Sequence, residues 1–126
     1  MKIRIKGNSI RYRLTKTEVE TFCKTGVFKE STEFGTSTFT YVLRAKKTKV
    51  DLLEATYIQD TITLYLDDRE LSTWAKSDRV GYSSTSVLPS GKQLSLLLEK
   101  DFACLDNTTE DQSDNYPNPK NDSNIC

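Results

Sequence analysis

A chain of 126 residues, 36% hydrophobic and 29% charged, is long enough to bury a core without metal or disulfide staples. Lysine plus arginine equals aspartate plus glutamate at 18 each, and a formal net charge of zero argues against a general nucleic-acid or membrane-surface binder. The chain has no histidine, which removes Ser-His-Asp and Cys-His catalysis, a histidine general base and histidine-ligated metals.

The start, Met1-Lys-Ile-Arg-Ile-Lys6, alternates charge with apolar residues and lacks the continuous apolar segment of a secretory leader. No apolar run approaches the roughly 20 residues of a membrane helix. Three cysteines, Cys23, Cys104 and Cys126, are too few and too scattered for a disulfide framework, so the chain is expected in a reducing cytoplasm.

Strands are predicted over Lys2–Lys6 and Ser9–Leu14, joined by the two-residue turn Gly7-Asn8. Thr15-Lys16-Thr17-Glu18 then forms a capping box, and Val19, Phe22 and Cys23 share one face of the helix that follows. Gly26 stops that helix. Two more strands, Val27–Glu33 and Thr36–Arg44, are joined through Phe34-Gly35.

The pattern then recurs. Strands Leu53–Ile58 and Thr61–Leu66 lead to Asp67 in the place of Thr15 and Glu70 in the place of Glu18. Leu71, Trp74 and Ala75 stand where Val19, Phe22 and Cys23 stood. Strands Arg79–Ser86 and Lys92–Glu99 follow, joined through Pro89-Ser90-Gly91. A strand-strand-helix-strand-strand unit is thus written twice, over residues 1–50 and 51–101. The predicted fold is α+β: one antiparallel eight-stranded sheet curled toward a barrel, with two helices on one face. A single domain over residues 1–105 is expected, followed by an irregular polar and acidic tail over 106–126. Within that tail, Tyr116 is expected to dock its ring on the domain, because Pro117 and Pro119 lower the entropy cost of fixing it.

The first hairpin carries the strongest functional signal. Its two-residue turn sets Arg4 opposite Arg11 and Lys2 opposite Arg13, with Lys6 beside them. Like charges directly across a ladder destabilise it. Lys2, Arg4, Lys6, Arg11 and Arg13 therefore call for an anion, supplied either by neighbouring carboxylates (Glu30, Glu33, Glu99, Asp101) or by a ligand. Arginine offers the bidentate geometry that phosphate groups fit, and Tyr12, Tyr41, Tyr57, Tyr65 and Tyr82 are aromatic candidates for stacking a base. The second hairpin has Thr63 and Tyr65 in place of Arg11 and Arg13, so the halves share a scaffold and not a chemistry. The acidic run Glu99, Asp101, Asp106, Glu110, Asp111 and Asp114 lacks the spacing of a Ca²⁺ loop, and Cys104 and Cys126 lack the paired spacing of a zinc site. No metal or cofactor is therefore expected.

The segments Met1-Lys-Ile-Arg-Ile-Lys-Gly-Asn-Ser-Ile-Arg11, Glu99-Lys-Asp-Phe-Ala-Cys-Leu-Asp106, Glu110-Asp111 and Tyr116-Pro-Asn-Pro119 resemble a family of short uncharacterised bacterial proteins common in Bacteroidetes. That resemblance implies a fold-sized unit without an assigned activity. The duplicated layout is similar to that of the adenylyl-cyclase/thiamine-triphosphatase-like tunnel enzymes, which bind triphosphate with inward basic residues and a glutamate-held metal. Lys2-Ile-Arg4-Ile-Lys6 stands where those enzymes carry Glu-x-Glu-x-Lys, so the resemblance extends to the basic half alone.

The function expected from this reading is non-catalytic binding of a phosphate-bearing or other anionic small molecule at Lys2, Arg4, Lys6, Arg11 and Arg13. The alternatives are a protein–protein interaction or structural role, and a divergent metal-dependent phosphate hydrolase using Glu99 or Asp101.

Overall fold

Hairpins form where the alternating segments meet turn residues. The computed structural model describes residues 1–102 and 113–117. It contains strands β1 (Lys2–Lys6), β2 (Ser9–Leu14), β3 (Val27–Glu33), β4 (Thr38–Lys46), β5 (Leu53–Ile58), β6 (Thr61–Asp67), β7 (Gly81–Val87) and β8 (Gln93–Lys100). Helix α1 (Lys16–Thr25) lies between β2 and β3. Each consecutive pair, β1–β2, β3–β4, β5–β6 and β7–β8, is an antiparallel hairpin.

These hairpins do not join into the single antiparallel sheet expected above. They form two mixed four-stranded sheets, ordered β1-β2-β8-β7 and β3-β4-β6-β5, and neither closes into a barrel. The central pairings β2–β8 and β4–β6 are parallel. Each sheet takes one hairpin from each half of the chain. Turn chemistry dictates direction inside a hairpin, but the pairing between hairpins is decided by which apolar faces meet after a long connection. The alternating pattern reads the same for a parallel or an antiparallel neighbour, and this is why the expected sheet was wrong.

The inner faces pack together. Tyr12, Leu14, Leu96 and Leu98 from one sheet meet Leu43, Leu53, Ile62, Leu64 and Leu66 from the other in one buried cluster. Tyr12 bridges the sheets, its hydroxyl donating to the Ile62 carbonyl at 3.1 Å. Val19 and Phe22 of α1 close one end of this core.

Helix α1 is specified as expected. The Thr15 hydroxyl accepts from the Glu18 N–H, the Glu18 carboxylate accepts from the Thr15 N–H at 2.8 Å, and Gly26 ends the helix at φ 83°. The second helix is absent from its expected place. In its stead are two short 3₁₀ turns, Asp68–Glu70 and Trp74–Lys76. The would-be capping box is taken apart by other partners. Asp67 Oδ2 accepts from the Thr48 N–H and hydroxyl, and Asp67 Oδ1 accepts from the Arg69 backbone and from its Nε. Glu70, which should reach back to the Asp67 N–H, accepts instead from the Tyr82 hydroxyl at 2.9 Å, and the Asp67 N–H donates to Leu52. Trp74, fully buried, still fills the position matching Phe22 and meets it edge-on at 6.4 Å.

The described part of the C-terminal segment returns to the body of the protein. Tyr116 packs against the core and meets Phe102 at a tilt, ring centroids 5.6 Å apart, and the Asp114 carbonyl accepts from the Lys16 N–H at 3.0 Å. The docking expected of Tyr116 is therefore present.

The topology gathers the connections by type. Because β2 runs parallel to β8 and β4 parallel to β6, the tips of all four hairpins lie at one end of the paired sheets. Helix α1 and the 3₁₀ turns lie at the other.

Candidate functional site

In β1 and β2 the apolar residues Ile3, Ile10, Tyr12 and Leu14 belong to the inner packing, so strand alternation sends Lys2, Arg4, Lys6, Arg11 and Arg13 to the outer face of the first sheet. The expected register is the observed one, with Arg4 opposite Arg11 and Lys2 opposite Arg13. Parallel strand β8 lies against β2 and places Glu99 beside Arg13. Glu99 Oε1 stands 3.4 Å from Arg11 Nε and 3.7 Å from Arg13 Nε, and Lys2 Nζ stands 3.3 Å from Asp101 Oδ2. The protein itself thus supplies anions to three of the five cations.

Arg4 and Lys6 differ, having no ion pair among the described residues. Together with Ser9, Arg11 and Leu97 they line a half-open depression of about 180 Å³ on that outer face. Of the other carboxylates named as neutralisers, Glu30 turns elsewhere. Its Oε2 lies 2.7 Å from the Met1 α-ammonium, which also pairs with Glu18. The tyrosines proposed as stacking groups are dispersed. Tyr12 and Tyr82 are buried in the core and Tyr41 packs on Tyr12, so these three do not face the cations. Burial pushes the Tyr12 and Tyr82 hydroxyls well above the usual phenol range, as expected of structural groups.

The carboxylates required for hydrolysis are already engaged. Glu99 faces two guanidinium groups and Asp101 faces Lys2. Among the described residues no cluster of three or more cysteine, aspartate or glutamate side chains is placed to hold a metal ion. Burial raises the Cys23 thiol above its ordinary value, the opposite of what an activated nucleophile needs. Asp106, Glu110, Asp111, Cys104 and Cys126 lie outside the described residues.

A second concavity has no signature in the sequence. Between the sheets, at the end where the hairpin tips gather, is a half-open cleft of about 380 Å³. Ile5, Ile10 and Leu94 of the first sheet face Phe39, Ala55 and Ile62 of the second across it. These are ordinary inward strand residues, and no motif sets them apart from the core.

Comparison with known proteins adds the family. The chain belongs to a family of unknown function, DUF7009. The family model matches residues 1–120, nearly the whole chain. No curated protein and no solved structure matches it. Membership in DUF7009 agrees with the resemblance to uncharacterised proteins and brings no activity with it. The layout shared with tunnel enzymes does not carry through, because the two sheets are separate and neither is closed. Among the described residues of this DUF7009 chain, no helix is long and apolar enough to cross a membrane.

Proposed function

We propose that this protein is a non-catalytic binding module for a small phosphate-bearing or other anionic molecule, held on the outer face of its first sheet. Of the five cations, Arg4, Lys6 and Arg11 hold the anion, with Lys2 and Arg13 as flanking charges. One observation carries it: Arg4 and Lys6 border the depression without a carboxylate partner among the described residues, although Glu99 and Asp101 serve their neighbours. Two arginines directly opposed on a ladder repel, and an anion between them relieves that repulsion with charge-assisted hydrogen bonds. A reducing cytoplasmic setting, argued from the three scattered cysteines, belongs to the same proposal.

The test is thermal denaturation with inorganic phosphate, pyrophosphate and ATP, at constant ionic strength. At a concentration one hundred times Kd, specific binding adds about 2.7 kcal/mol, which is a shift of several degrees in Tm. The shift is expected to vanish in Arg4→Ala/Lys6→Ala while the unliganded Tm stays level or rises. A wild-type Tm indifferent to all three anions would end this reading.

A further inference from the structure

We infer that the cleft between the two sheets, at their hairpin-tip end, is a binding site for a small uncharged apolar molecule. Paired sheets leave a gap of about 10 Å that side chains must fill. At the helix end Tyr12, Leu14, Phe22, Leu43, Leu66 and Trp74 fill it, all of them buried. Toward the tips the inward position of β5 is Ala55 and the β1–β2 turn carries Gly7, and neither reaches far enough to meet the facing sheet across the gap. The space left over, about 380 Å³, falls within the range of small-molecule sites, roughly 300–1,000 Å³.

The walls define the ligand's chemistry. No lysine, arginine, aspartate or glutamate lines the cleft, so a charged group would enter it unpaired, at a cost no wall residue offsets. Ile5, Ile10, Phe39, Ile62 and Leu94 offer aliphatic and aromatic surface. The cleft's own lining is exposed where it opens: Ile5 is 55% exposed and Tyr57 67%. Phe34 and Val87 are exposed at the tips of the β3–β4 and β7–β8 hairpins, at the same end. Large exposed apolar groups gathered at one place mark a site of association. A concave cleft reaching down to Ile62, which is 7% exposed, suits a small molecule better than a flat protein surface. This site is distinct from the proposed anion site: Ser9 borders both concavities, but the apolar side chains of the cleft face inward and the cations face outward.

The probe is N-phenyl-1-naphthylamine, which is uncharged and brightens in apolar surroundings, titrated into the full chain. A saturable fluorescence rise with one site per chain is expected. Ala55→Phe, which fills the cleft, should weaken binding at least tenfold with Tm unchanged or raised. Arg4→Ala/Lys6→Ala should leave the affinity within twofold, which separates this site from the outer face. Methyl NMR of the wild-type protein gives a readout that does not depend on any variant folding. The probe should shift Ile5, Ile10, Ile62 and Leu94 and leave Leu97, on the outer face, in place. No saturable binding, or shifts confined to Leu97, would overturn the assignment. So would a concentration-dependent dimer that excludes the probe, since that result gives the apolar tips to a second copy of the chain.

Discussion

Glu99 Oε1 lies 3.4 Å from Arg11 Nε, and the same oxygen lies 3.7 Å from Arg13 Nε. One carboxylate thus restrains two of the cations that the first hairpin brings together, and it competes with any external anion for them. Glu99→Gln keeps the side-chain shape and removes the charge. A unit charge about 4 Å away contributes about 1 kcal/mol in a water-like medium, so pyrophosphate affinity should rise about fivefold. Isothermal titration calorimetry of the two proteins side by side measures it. Unchanged or weaker binding in Glu99→Gln would place the anion away from Arg11.

Asp114 caps α1 from outside the helix. Its Oδ1 accepts from the Thr17 hydroxyl at 2.8 Å and from the Thr17 N–H at 3.3 Å. Hydrogen bonds from the Thr15 and Thr17 hydroxyls hold its carboxyl below the usual aspartate range. A carboxyl lowered in the folded state stabilises fully above its unfolded value of about 3.9, and that contribution is lost as pH falls through the folded value. Asp114→Ala should therefore cost about 1 kcal/mol at pH 7, in the range of an N-cap deletion. The gap from wild type should narrow below about pH 4. Urea denaturation at pH 7 and at pH 3 checks both the size and the direction.

The tip between β5 and β6 is strained by its residues. Gln59 and Asp60 both adopt positive φ, 52° and 59°, where a side chain crowds the backbone. Turns of this kind favour Asn-Gly. Gln59→Asn/Asp60→Gly should stabilise the protein by about 1 kcal/mol, read as a higher urea midpoint with an unchanged slope. The same variant should leave pyrophosphate binding unaltered, because the tip belongs to the other sheet and does not line the depression at Arg4.

Local chemistry was legible in the sequence and long-range choice was not. The capping box of Thr15 and Glu18, the glycine stop at Gly26 and the register of Arg4 with Arg11 depend on residues a few positions apart, and all three are present. The second helix depended on partners that the local pattern does not show. Thr48, from the β4–β5 connection, and Tyr82, from β7, take the carboxylates of Asp67 and Glu70. The pairing of β2 with β8 and of β4 with β6 joins opposite halves of the chain, and both are invisible to any short window. Of the candidate site, the outward cations could be read directly from alternation. The role of Glu99 depended on β8 arriving parallel, and the cleft depended on the whole sandwich.

Gly81 shows how closely the strands approach. It opens β7 opposite Glu99, and a Cβ built there would stand 2.0 Å from the Leu98 carbonyl oxygen and 2.9 Å from the Glu99 Cα. Both neighbours are backbone, so nothing can swing aside and the strand itself has to shift. Arg79, whose Nε donates to the Gly81 carbonyl while its guanidinium stacks 4.1 Å above the Tyr82 ring, would be displaced with it. Gly81→Ala, a change small enough to be harmless on most exposed strands, should here cost about 1–3 kcal/mol, the scale of overpacking. It should also disturb Glu99 from the far side of β8 and so loosen its hold on Arg11. A lowered urea midpoint together with tighter pyrophosphate binding is the expected pair of results, and a Gly81→Ala protein as stable as the parent would show that β7 has room to move.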